Sequence, residues 1–127
     1  MWDNSRGNSV KKKLRLVVIP LIVGVFTFAL FRCVFMIGFV PSESMEPTIR
    51  KNSIVIGIRI YGELKEGDII IFEREDRLLV KRISECTPQG YYVLGDNRDN
   101  SYDSRFWEDP YVNDGDIVAR MILPNAS

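Results

Sequence analysis

Residues 16–40, LVVIPLIVGVFTFALFRCVFMIGFV, decide the architecture. The run Leu16–Phe31 carries no charge, and Arg32 alone interrupts the stretch before Val40. A bilayer core takes roughly 20 helical residues, so the stretch can span, with Arg32 near one end snorkelling to the headgroups. Pro20 is tolerable in a membrane helix. On the amino-terminal side Arg6, Lys11, Lys12, Lys13 and Arg15 face Asp3, a net of +4 over residues 1–15. The rest of the chain holds 12 positive and 16 negative charges, a net of −4. The positive-inside rule then predicts a cytoplasmic tail at 1–15, a signal anchor at 16–40 and an extracytoplasmic domain at 41–127, single-pass in the cell membrane. A cleaved signal peptide is the rival, but no A-x-A-like site follows the run, where Arg32, Cys33 and Phe35 stand.

Beyond Pro41 the pattern changes to alternation and turn signals. Ser53–Ile60 (SIVIGIRI), Asp68–Phe72 (DIIIF), Leu78–Ser84 (LLVKRIS), Tyr91–Leu94 (YYVL) and Asp116–Ile122 (DIVARMI) are short β-branched or aromatic runs. Gly67-Asp68, Pro88-Gln89-Gly90, Gly95-Asp96-Asn97 and Gly115-Asp116 bound them. No helical period is sustained there, and no repeat is found. The expected fold is mainly β, a small domain of short antiparallel strands preceded by one N-terminal transmembrane helix. Residues 1–10 read as disordered.

Composition removes whole classes of chemistry. The 127 residues balance 17 Lys+Arg against 17 Asp+Glu, so the basic excess of a general nucleic-acid binder is missing. With no His, every His-based triad and most zinc sites are excluded. Cys33 and Cys86 form no C-x-x-C. Any enzyme here works with Lys, Asp, Glu, Tyr or Ser.

Three segments can carry such chemistry. Pro41-Ser42-Glu43-Ser44-Met45-Glu46-Pro47-Thr48 sets two serines between prolines that stiffen the backbone, which suits a fixed nucleophile or a plain loop leaving a membrane helix. In Leu79-Val80-Lys81-Arg82-Ile83, strand alternation puts Lys81 on one face with Leu79 and Ile83. Desolvation there lowers a lysine pKa towards that of a base, unless the ammonium snorkels from an edge. Gly95-Asp96-Asn97-Arg98-Asp99-Asn100-Ser101-Tyr102-Asp103-Ser104-Arg105 is a dense hydrogen-bonding loop. As a calcium loop it fails where Tyr102 takes the position that demands Gly.

Together, in this order behind an anchor, the segments resemble the boxes of bacterial type I signal peptidases, the membrane-anchored Ser–Lys proteases that remove signal peptides from exported preproteins. PSESMEPT resembles the nucleophile box, GDIIIF a structural strand, LVKR the lysine box and GDNRDNSYDSR the last, most specific box. The resemblance implies a serine endopeptidase with Ser44 as nucleophile and Lys81 as general base. It makes Ser42 a contributor to the oxyanion hole beside the Ser44 N–H, and Ser101 the residue that hydrogen-bonds and orients Lys81. Arg82 with Asp96, and Asp103 with Arg105, become structural ion pairs. Substrates with small residues at positions −1 and −3 would lie as an extended strand between Phe39, Val40, Pro41 and Ser42 on one side and Leu78, Leu79 and Val80 on the other. Preproteins and the bilayer are the implied partners; no cofactor, metal or nucleic acid is needed.

Two departures stand out. Only Ile83–Leu94, with Cys86, Pro88 and Gly90, fills the place of the family's Gly-x-Pro-Gly-Asp turn and long β insertion, and Glu108 follows Phe106-Trp107 where the family usually has Gly. A non-catalytic anchored β module that binds peptides or assembles complexes is the alternative from another class. A soluble self-cleaving Ser–Lys repressor is a third, opposed by the anchor.

Overall fold

The computed structural model describes residues 5–124, divided into two compact units that meet at Cys33 and Val34. The first is one helix, α1, Ser5–Val34, with Pro20 inside it. None of its residues is buried, and its valines, leucines, isoleucines and phenylalanines point outward on all sides. Thirty residues rise about 45 Å, enough to cross a bilayer. From Leu16 onward the helix is apolar on all sides save Arg32, and it fits a membrane anchor. It begins at Ser5, so residues 5–10 are ordered helix where the sequence suggested disorder; residues 1–4 lie outside the described residues.

The helix also stops short of the expected anchor boundary at Val40. Phe35–Val40 leaves the helix as strand β1 and pairs antiparallel along its whole length with β2, Ser53–Ile58. The reason lies in the partner strand: FMIGFV meets SIVIGI as cross-strand aliphatic and aromatic pairs, Ile37 with Ile56 and Phe39 with Ile54. Apolar content alone does not distinguish such a strand from the end of a membrane helix.

The second unit is a single seven-stranded antiparallel sheet. To β1 and β2 it adds β3 (Ile69–Arg74), β4 (Arg77–Thr87), β5 (Gly90–Leu94), β6 (Tyr111–Val112) and β7 (Ile117–Leu123), in the order β1-β2-β7-β3-β4-β5-β6. Strand β3 lies between β7 and β4, so Ile69, Ile70, Ile71 and Phe72 are all buried, which is why DIIIF reads as an uninterrupted apolar run. The period of two sends Ile69 and Ile71 to one core with Val40, Met45, Ile49 and Val55. Ile70 and Phe72 go to the other, with Ile83, Val93 and Ile117. Glu75 and Asp76, both at positive φ, close the β3–β4 hairpin as a two-residue turn. Strands β4 and β5 join through the two residues Pro88 and Gln89.

Candidate active site

Strand β4 brings Lys81 to the site. Its cross-strand partner is Ile70, and its side chain shares a face with Ile83, in the second core, and with Leu79, half-buried against it. The lysine is 4% exposed. Ser44 lies on the turn that follows β1 and is 8% exposed, anchored by the buried Met45 and Ile49 beside it. The two meet: Lys81 Nζ donates to Ser44 Oγ at 2.7 Å. Ser42 Oγ lies 3.2 Å from the same oxygen. Burial pushes the Lys81 pKa down, and the negative charge of Asp103 opposes this in part. A lysine held this way reaches the neutral amine more easily than an exposed one, and an amine lone pair can take a hydroxyl proton.

The last box wraps this pair. Asp96 is a node between the three segments. Arg82 Nε and Nη2 donate to its two oxygens at 2.9 and 2.8 Å, while Thr48 Oγ1 donates to Oδ2 at 2.5 Å. Arg82 Nη1 also reaches the Gly67 carbonyl at 2.8 Å, fixing β4 to the entry of β3. Burial pushes the Asp96 carboxyl up, but Arg82 and Thr48 outweigh it and hold it below its ordinary value.

Asp103 is the fully buried member of the second ion pair, at 0% exposure, whereas the Arg105 guanidinium is partly open to solvent. Arg105 Nε donates to Oδ1 at 2.9 Å, Nη2 to Oδ2 at 3.0 Å, and the Gly95 N–H to Oδ2 at 2.9 Å. Burial pushes this carboxyl up as well, and Arg105, Gly95 and the Ser101 hydroxyl nearby bring it below the usual range. Ser101 Oγ itself is buried and has no partner within hydrogen-bond geometry among the described residues. The contact from Ser101 to Lys81 that the resemblance implies is therefore not made here.

Two hollows open on the pair. A groove of about 280 Å³ runs between Val40–Ser42 and Leu78–Lys81 and reaches Ser44. Its β4 wall is an open edge, since β5 pairs with β4 from Arg82 onward and leaves Leu78–Lys81 bonded to β3 alone. A second cleft of about 490 Å³ extends from Ser42, Ser44 and Lys81 to Arg74, Tyr102 and Trp107. Phe39 is exposed and lines neither.

Several contributors escaped the sequence reading, most of them inside its boxes. Asn97 donates its backbone N–H to the Ser44 carbonyl at 2.9 Å and its amide to the Glu43 carbonyl at 3.1 Å. Asn100 Nδ2 donates to Glu43 Oε2 at 2.9 Å, and Lys51 pairs with Oε1 at 3.4 Å. Thr48 and Gly95 complete the set. For Gly95, Asn97 and Asn100 the signal is the density of polar residues in the last box; that these, with Thr48 and Lys51, meet around the nucleophile turn is a tertiary fact.

Residues 32–122 match the family model described as Peptidase S24-like. A signal peptidase I of Leptolyngbya laminosa is 26% identical, covering 67% of this chain and 66% of its own length. A probable signal peptidase I-2 of Synechocystis sp. is 27% identical over 75% of this chain and 63% of its own length. A signal peptidase I of Aquifex aeolicus is 54% identical over 32% of this chain and 15% of its own. The chain thus spans slightly less than two thirds of the length of the first two relatives. The resemblance read from the boxes is borne out by these relatives.

Proposed function

From a chain that belongs to the Peptidase S24-like family, we propose a membrane-bound signal peptidase I that cuts signal peptides from exported preproteins with a Ser44–Lys81 dyad. The observation that carries the reading is the 2.7 Å contact between Lys81 Nζ and Ser44 Oγ, both side chains being withdrawn from water. Neutral Lys81 takes the Ser44 proton as the oxygen attacks the scissile carbonyl, then returns it to the leaving amine. Ser42 Oγ and the Ser44 N–H stabilise the oxyanion. Water, activated by the same amine, releases the acyl group. The Ser–Lys pair is a known variant of the triad theme and requires no histidine. A substrate strand fits the groove between Val40–Ser42 and Leu78–Val80, where the open β4 edge offers backbone hydrogen bonds.

The +4 tail supports an orientation with residues 1–15 in the cytoplasm and the sheet outside. One experiment tests activity and orientation. The full chain in sealed membrane vesicles is offered a model preprotein from the outside. Right-side-out vesicles are expected to cut it after a small residue. Cutting by inverted vesicles alone would reverse the orientation, and binding without cutting by either would favour the non-catalytic β module.

Asp103 gives a pH prediction. Its charge raises the Lys81 pKa, so Asp103→Asn lowers that pKa further. Activity that rises with pH as Lys81 deprotonates should then rise at lower pH in the variant. A kcat/KM profile whose acid limb stays in place or moves upward would remove Lys81 from the titration.

A further inference from the structure

We propose that Asn97 is a positioning residue that sets the direction of the Ser44 N–H, the backbone donor of the oxyanion hole; this rests on the Ser–Lys reading above. Two peptide planes flank the Ser44 Cα, and Asn97 holds both. Its side-chain Nδ2 donates to the Glu43 carbonyl at 3.1 Å, on the plane before Ser44. Its backbone N–H donates to the Ser44 carbonyl at 2.9 Å, on the plane after. Holding the planes on either side of one Cα fixes that residue's φ and ψ, and with them the base from which Oγ projects.

The first plane matters most. In a planar trans peptide the C=O and the N–H point in opposite directions. The Glu43–Ser44 peptide is trans. Turning the Glu43 carbonyl toward Asn97 therefore turns the Ser44 N–H away from the last box. Among the described residues nothing accepts a hydrogen bond from that N–H, although Ser44 is buried. A backbone donor without an acceptor, on a nucleophile at which two hollows open, is available to charge that develops during reaction. Glu46 N–H also reaches the Glu43 carbonyl, at 3.1 Å, which closes the turn locally. Among the described residues only Asn97 ties the plane to a different segment, the loop that also supports Asp96 and Asp103. Without its amide the turn persists, but its peptide can rotate about the local bond.

Removing one oxyanion donor outright lowers kcat by about 10²–10³. Loosening one should do less. With the full chain in detergent and a model preprotein, Asn97→Ala is expected to lower kcat roughly tenfold and leave KM and the acid limb of the pH profile unchanged. The Lys81–Ser44 contact and Asp103 are untouched. Affinity for a substrate-like peptide aldehyde, whose adduct carries an oxyanion, should fall in step with kcat/KM. Asn97→Asp, which turns an acceptor toward the Glu43 carbonyl, should lower kcat at least as far. Wild-type kcat in either variant, a loss confined to KM, or a failure of both to fold would overturn the proposal. Ser44→Ala separates the two readings. If it is inactive while Asn97→Ala is normal, the positioning role alone fails; if it cuts like wild type, the Ser–Lys reading fails and the positioning role with it.

Discussion

Lys81→Met is expected to abolish cleavage and, at neutral pH, to make the protein more stable. Activity should fall by about 10⁴-fold or more, since a serine hydroxyl without its base is a poor nucleophile. Stability moves the other way because the lysine sits between Leu79 and Ile83 with its pKa lowered by burial. The sign follows from proton linkage. Between the folded pKa and the ordinary lysine value of 10.5 the unfolded chain binds the extra proton, so wild-type stability rises with pH across that window. Below it the wild type bears the full penalty of a buried charge, and methionine, similar in length and uncharged, does not. Replacing buried charged groups by packed apolar ones is often stabilising by about 1–4 kcal/mol. The gain of Lys81→Met should be largest below the folded pKa and shrink as pH approaches the unfolded value. Melting curves across that range, run beside kcat, provide the check. Ser44→Ala should be as inactive, and the double variant no worse than either single one, because the two side chains act as a unit. Appreciable turnover by Lys81→Met, or losses that add in the double variant, would sink the dyad.

The same segment shows how far the sequence can be read. Alternation in LLVKRIS put Lys81 on a face with Leu79 and Ile83; Ile83 belongs to the second core, and Leu79 packs half-buried against it. DIIIF reads as a strand from its β-branched run, and its central place between β7 and β4 comes from the pairing. FMIGFV did not declare itself, because an apolar stretch that continues a membrane helix carries no mark of the point where backbone pairing changes. Only β2, some fifteen residues later, supplies the partner that makes it β1. The site divides in the same way. Serines, lysine and paired charges are visible as residue types, whereas the hydrogen bonds of Thr48, Asn97 and Asn100 depend on where two loops meet. Asp103 shows the limit most plainly. Its pairing with Arg105 is what the resemblance implies, yet which partner is buried is decided by the Gly95 N–H and by packing around the loop.

Gly95→Ala should damage fold and activity together, and for a reason that has nothing to do with glycine's positive-φ freedom. A Cβ at this position would lie 2.0 Å from Ser101 Oγ, 2.5 Å from Ser101 Cβ and 2.6 Å from the Ser44 carbonyl oxygen. The serine can move part of the way by changing rotamer. The carbonyl cannot, since it is main chain and is bonded to the Asn97 N–H. Relief requires the last box to back away from the nucleophile turn. That movement strains the Gly95 N–H contact to buried Asp103 and displaces Ser44 relative to Lys81. Overpacking of this kind typically destabilises by about 1–3 kcal/mol, and a nucleophile displaced by about 1 Å can lose two orders of magnitude in rate. The expected result is a lower melting temperature with kcat down roughly a hundredfold. Adding Ser101→Gly to the alanine variant removes both serine contacts and leaves the one to the Ser44 carbonyl. The double variant should therefore regain part of the lost stability but not the activity. Full recovery of kcat would show that the pressure falls on Ser101 and not on the nucleophile turn, and an unimpaired Gly95→Ala would show that the two loops are not in contact at all.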